Sequence, residues 1–264
     1  MTSVVAMLAL DARDNGVRVA LAALVARGAS RVTLAHTTSE ANAHIAEARL
    51  REIAAGLAPA AVRVCVRAGT ADAVATALLS EEAADLLVIG RMASEDGQSA
   101  WGDHGRGLLR AAGCPVLLVP ADAEAPLRHA LVGMDLSEAA LDALARAVAL
   151  CTRVEALAVL SAEDAAGAPD AVRAALQARF AAAVAARGLG PVPLRTVVGG
   201  SPADALLAAA EGVDLLAVGS RGLSPLAAVF LGSTAERLAG KSPRPVLVVR
   251  RRGEARGLLG AIFS

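Results

Sequence analysis

The chain repeats itself, and this limits its possible folds more than any other feature. An apolar run at 4–11, ending in Asp11, resembles the run at 130–135, ending in Asp135. Residues 31–36 then match 154–159, 67–73 match 198–205, 85–90 match 214–219, and 115–119 match 245–249. Matches that keep their order through a chain of 264 residues mark a duplicated unit. The join falls near 121–128, where Pro126 and mixed charges read as a short linker. The expected organisation is a first domain at 1–122, a second at 128–250, and a C-terminal tail at 251–264.

Each copy alternates short runs of Val, Leu and Ala with longer helical stretches. Strands apolar on both sides need cover on both faces, which is the condition of a parallel sheet. Helical crossovers then give α/β architecture, here two doubly wound parallel-sheet domains of five strands each. The terminal runs 115–119 and 245–249 are too hydrophobic to remain open edges, so pairing of the two copies through them is expected. A homodimer or larger assembly stays open at this point.

Composition narrows the functions such a frame can serve. Aromatics make up 2% of the residues and tyrosine is absent, which argues against stacking platforms for nucleic-acid bases. The 26 basic and 26 acidic residues cancel, so there is no basic stripe for a phosphate backbone and no polybasic membrane patch. The uncharged stretch 222–235 is too short to span a bilayer, and residues 1–10 read as a strand rather than a signal peptide. Cys65, Cys114 and Cys151 are scattered without ligand spacing, which fits buried thiols in a reducing cytoplasm.

In doubly wound sheets ligands bind beyond the carboxyl ends of the strands. The second copy places Gly219-Ser220-Arg221-Gly222 after such a strand, and nine residues later Gly232-Ser233-Thr234 opens a helix. Gly219 and Gly222 are expected to let the backbone turn and approach a ligand. The helix start at Gly232 and Ser233 offers N–H groups and a dipole that favours an anion, with the Ser233 and Thr234 hydroxyls beside them. Asp135 ends the neighbouring strand, where a carboxylate suits ribose hydroxyls or a base amino group. Arg221 lies inside the loop, where it either screens phosphate charge or points to solvent. The bland alternatives are a simple strand-to-loop turn at Gly219 and an N-cap at Ser233.

The spacing Gly-x2-Gly-x9-Gly-Ser, followed by a helix and a Pro-Val-Leu-Val-Val strand, resembles the ATP-binding pattern of the universal stress protein family. The first strand of the copy, ending Met134-Asp135-Leu136-Ser137, fits that resemblance, which extends over nearly the whole chain, twice. It implies a tandem universal stress protein with ATP contacts at Asp135, Gly219, Gly222, Gly232, Ser233 and Thr234. Gly133 and Leu160 follow by strand register. The implied function is ATP-linked stress response through binding or slow hydrolysis, and some members of the family bind no nucleotide. Mg²⁺ is the usual companion of a polyphosphate. The alternatives are a nucleotide-independent scaffold and a slow ATP-hydrolysing enzyme.

The first copy departs from this pattern. Its loop reads Gly90-Arg91-Met92-Ala93, then eight residues, then Gly102-Asp103. Ala93 puts a methyl group where the second copy has Gly222, and Asp103 stands in place of Ser233. A carboxylate about 4 Å from a phosphate costs roughly 4 kcal/mol at an effective dielectric near 20. The first copy is therefore expected not to bind ATP tightly, although Asp11 looks retained. Its expected role is structural or regulatory.

Three other features carry less. Residues 235–242 fit a loose Walker A pattern but read as helix before strand, the reverse of a phosphate-binding P-loop. Gly240 reads there as a helix C-cap and Lys241 as a cation favoured by the dipole. Among the histidines only His36, at a strand end near the first copy's site, has a ligand-facing position, and packing against neighbours explains it as well.

Overall fold

Both copies build their strands from residues with no accessible surface, such as Val4, Val5 and Ala6 in one and Ala130, Leu131 and Val132 in the other. Burial on both faces is what the continuous apolar runs require. The computed structural model describes residues 2–11, 14–91, 107–109, 112–123, 126–163, 169–221 and 232–251. The first copy runs β1 (Thr2–Met7), α1 (Asn15–Ala26), β2 (Ala29–Thr37), α2 (Ala43–Ala55), β3 (Ala61–Arg67), α3 (Ala71–Glu81), β4 (Leu86–Arg91) and β5 (Val116–Pro120). The second runs β6 (His129–Gly133), α4 (Glu138–Leu150), β7 (Arg153–Leu160), α5 (Pro169–Ala186), β8 (Leu194–Val198), α6 (Pro202–Ala208), β9 (Leu215–Arg221), α7 (Ser233–Lys241) and β10 (Val246–Arg251).

All ten strands join one sheet in the order β3-β2-β1-β4-β5-β10-β9-β6-β7-β8. Within each copy every pairing is parallel. The copies meet through their last strands, antiparallel, with Val246 opposite Leu118, Leu247 opposite Leu117 and Val248 opposite Val116. The pairing expected from hydrophobicity is thus made inside one chain. Because the two parallel halves run in opposite directions, their carboxyl rims lie at opposite ends of the sheet.

Alternation along the strands divides the interior into two cores, and each crosses the joint. Val4, Ala6, Leu117, Leu247, Leu215 and Ala217 belong to one, and Val5, Met7, Leu118, Val246, Leu216 and Val218 to the other. Helices cover both. In α1 the buried Val17, Ala20, Leu21 and Leu24 recur at one helical face, as do Ala140, Leu141, Leu144 and Ala147 in α4. No described helix is long and apolar enough to cross a membrane.

Two local expectations change. Gly240 lies inside α7, and the C-cap is Ser242, whose N–H bonds the Leu238 carbonyl at 2.8 Å. Lys241 does stand in the last turn of α7. The loose Walker-like stretch is helix running into β10, as its sequence context indicates. The tail residues 252–264 lie outside the described residues.

Candidate functional site

The carboxyl ends of β6 and β9 are neighbours, because Gly133 pairs with Val218. Two residues beyond Gly133 stands Asp135, exposed, with its Oδ1 accepting the Ser137 N–H at 2.9 Å. That turn places Leu136 in the left-handed region at φ 59° and sets Ser137 as N-cap of α4, its Oγ accepting from the Ala140 N–H at 3.2 Å. The carboxylate is held at the start of the helix rather than swinging free from the strand end.

The role expected of Gly219 needs correction. The strand β9 continues to Arg221, so Gly219 is inside it and not at a turn. A Cβ on Gly219 would lie 2.3 Å from the Ala139 carbonyl carbon and 2.4 Å from the Ala140 nitrogen. The missing side chain makes room for the first turn of α4. Gly133 answers to the opposite face: a Cβ there would meet Leu206 of α6 at 2.9 Å and Val218 at 3.2 Å. Both glycines draw helices onto the sheet, and through α4 Gly219 also fixes where Asp135 sits.

Gly232 differs from both. Among the described residues its Cβ direction meets nothing within 4 Å, and its backbone, at φ −56° and ψ 146°, is open to any residue. It is the N-cap of α7, so Ser233 is the first helical residue rather than the cap. Ser233 is exposed and Thr234 half-buried in the first turn. A helix gives the N–H groups of its first turn no internal acceptor, and this is the polar end that favours an anion. The Gly232 carbonyl accepts the Glu236 N–H at 3.0 Å.

A buried hydroxyl links two of these elements. Ser220 is 2% exposed, and its Oγ accepts the Gly232 N–H at 3.4 Å. This long contact ties the cap of α7 to the end of β9. The only signal in the sequence is a hydroxyl between Gly219 and Arg221 at a strand end. Leu160, at the end of β7, is a buried core residue whose carbonyl accepts the Gly199 N–H at 2.9 Å. Arg221 ends β9 opposite Arg251, and its side chain lies outside the described residues, as does Gly222. The structure therefore brings Asp135, Ser220, Gly232, Ser233 and Thr234 to one rim. Charge around α7 is mixed, with Glu236 in its first turn and Arg237 ion-paired to Asp204.

The corresponding turn of the first copy is built differently. Met7 pairs with Ile89 as Gly133 pairs with Val218, so Ala9 takes the place of Asp135. Leu10, at φ 64°, repeats the left-handed Leu136. Asp11 is thus not the counterpart of Asp135, because the loop before α1 is longer than the loop before α4. A different carboxylate fills the turn. Asp14 is 1% exposed and accepts the Ala9 N–H at 3.1 Å and the Leu10 N–H at 2.6 Å. Burial raises its carboxyl above the ordinary value, against the pull of those two backbone bonds. The start of α1 is also latched to β5, with the Gly16 N–H donated to the Ala121 carbonyl at 3.1 Å. A Cβ on Gly16 would fall 2.0 Å from the Pro120 oxygen. His36 points its Nδ1 at the Leu8 carbonyl at 2.8 Å, the packed alternative rather than the ligand-facing one. Ala93, Gly102 and Asp103 lie outside the described residues.

Among the described residues no group of three His, Cys, Asp or Glu side chains could hold a metal. Cys151 is buried, and desolvation pushes its thiol up to about 12, so it is a structural thiol rather than a nucleophile.

Comparison with known proteins agrees with this architecture. The universal stress protein family matches residues 2–120 and again 126–250. A protein of Thermus aquaticus, described as the universal stress protein in the QAH/OAS sulfhydrylase 3′ region, is 45% identical over 53 residues. That match spans 19% of this chain and 39% of the relative's length. A universal stress protein of Archaeoglobus fulgidus DSM 4304 has the same fold, with a TM-score of 0.77 at 21% identity over 95% of this chain and 98% of that one. A functionally unknown protein of Pseudomonas aeruginosa PAO1 follows at a TM-score of 0.68 and 17% identity, covering 95% of this chain and 92% of that one. With two successive family matches laid over the two halves of one sheet, the chain belongs to the universal stress protein family and carries its domain twice.

Proposed function

We propose that the chain is a regulatory protein that binds an adenine nucleotide, ATP in the first instance, at the rim of its second copy. The observation that supports this reading is that Asp135, after β6, stands on the same rim as the end of β9, which the Ser220–Gly232 contact joins to the N-terminus of α7. The residues fit the ligand. Gly232 leaves its outer side open among the described residues, and the Ser233 and Thr234 N–H and hydroxyl groups suit phosphate oxygens. Asp135 suits ribose hydroxyls or the base amino group. Gly133 and Gly219 serve by positioning, Gly222 joins the site by family resemblance, Leu160 by strand register, and Arg221 by its place inside the loop. Mg²⁺ would arrive with the phosphates and be held mainly by them. No residue is assigned a catalytic role, and turnover is at most slow hydrolysis.

In this reading the first copy is a structural or regulatory partner. Ala9 offers no carboxylate where Asp135 stands, and Asp14 consumes the Ala9 and Leu10 N–H groups at the turn. Calorimetry on protein stripped of nucleotide should find one ATP site per chain. Ser233→Asp should weaken that site roughly tenfold or more, because the new carboxylate meets the phosphate charge. Two sites would overturn the asymmetry, and unchanged affinity in the variant would remove α7 from the site.

A nucleotide-independent scaffold is the second reading, and one observation favours it: packing against α4 accounts for Gly219 without any ligand. Absence of ATP binding in the intact protein would decide for it.

A further inference from the structure

Away from the rim, the two copies meet over a cavity of about 120 Å³ between α1 and α4. Its apolar wall includes Leu24 from the first copy and Leu247 from the second. Its charged wall holds Arg27, Arg146 and Asp85. Arg27 is the C-cap of α1, and its Nη2 donates to the Cys151 carbonyl at the end of α4 at 2.8 Å. That bond crosses from one copy to the other and fixes the guanidinium at the joint. Arg146 makes no hydrogen bond or ion pair among the described residues, and Arg27 pairs with no carboxylate.

The carboxylate of Asp85 is already engaged, since its Oδ2 accepts the Ser3 N–H at 3.0 Å. Two guanidinium groups therefore face the cavity against one carboxylate that is bonded elsewhere. Each guanidinium presents a planar fork of donors that matches an oxyanion. Both helices also end here, and their negative ends account for arginines at this place. Arg27 spends one donor on Cys151 and retains others, and Arg146 retains all of its own. The space admits a group of a few heavy atoms, such as a phosphate.

We infer that this cavity binds a small oxyanion, inorganic phosphate or the phosphate of a small ester, between Arg27 of the first copy and Arg146 of the second. Occupancy would bridge the copies and stiffen the joint. The inference does not depend on nucleotide binding at the rim.

The test is a titration of the intact protein with inorganic phosphate at constant ionic strength, followed by calorimetry and thermal melting. Saturable binding of one phosphate is expected, with a rise in melting temperature that chloride does not reproduce. Arg146→Gln removes a guanidinium with no partner among the described residues, so the variant should melt normally without phosphate and bind it roughly tenfold more weakly. Ser233→Asp, at the other site, should leave phosphate binding unchanged. Tighter binding of glycerol 3-phosphate than of phosphate would identify an ester as the ligand, and equal or weaker binding the free ion. No saturable binding, or binding that Arg146→Gln preserves, overturns the proposal.

Discussion

Gly219 and Gly232 look alike in the sequence and differ in what surrounds them. The Cβ of an alanine at 219 would strike backbone atoms of α4, which cannot rotate away. Overpacking of that kind costs about 1–3 kcal/mol, and backbone neighbours put Gly219→Ala at or above the upper end. Gly232→Ala introduces no contact with a described residue and no backbone strain, so its stability should stay within about 0.5 kcal/mol of the parent. Urea unfolding separates them: a large loss at 219 with none at 232 is expected, and equal losses would contradict the packing argument. ATP affinity should fall in Gly232→Ala if the methyl group intrudes on the phosphate position. Asp14 makes a second residue-scale prediction. Its folded carboxyl lies above the ordinary 3.8, so the folded state holds the proton more tightly than the unfolded chain. Its contribution to stability is complete below about 3.8 and is lost as pH rises through the folded value. Asp14→Asn should remove that decline, measured as a flatter dependence of unfolding free energy on pH from acid toward neutral.

At the scale of elements, the start of α7 and the turn before α4 divide the work of the candidate site. One supplies unpaired N–H groups, and the other presents a carboxylate. They share one rim because α4 packs on β9 at Gly219 and Ser220 contacts α7 from the same strand. Removing the Ser220 hydroxyl tests that arrangement without touching the ligand directly. Ser220→Ala should weaken ATP binding several-fold while leaving its stoichiometry at one, because one modest hydrogen bond is lost, worth about 0.5–1.5 kcal/mol. Unchanged affinity would show that α7 is held by its packing alone. From β1 to β4 the first copy has the same elements in the same order as β6 to β9, yet its turn is held by Asp14 and its helix start is latched to Ala121.

For the whole molecule, the antiparallel joint makes ten strands one sheet with two shared cores. Such a structure should unfold as a unit. Leu247 is fully buried and pairs with Leu117 across the joint. Leu247→Ala should cost about 2–5 kcal/mol. Calorimetric unfolding of the variant should show a single transition, shifted as a whole. One shifted and one unshifted transition would mean that the halves unfold independently.

The amino-acid sequence by itself determined the duplication, the α/β class, the parallel strands and the partner of each terminal strand. These follow from local runs of apolar residues and their order, because a run buried on both faces requires the same environment wherever it occurs. It also singled out Asp135, Gly232, Ser233 and Thr234, whose residue types suit a strand end and a helix start. Only the tertiary structure decided that Gly219 serves α4, that Ala9 and not Asp11 corresponds to Asp135, and that Asp14 and Ser220 are buried. Those outcomes depend on atoms brought from distant elements, such as Ala139 against Gly219, and on loop lengths that shift register. Hydrophobic periodicity records which face a residue turns inward, but not which atom it will meet there.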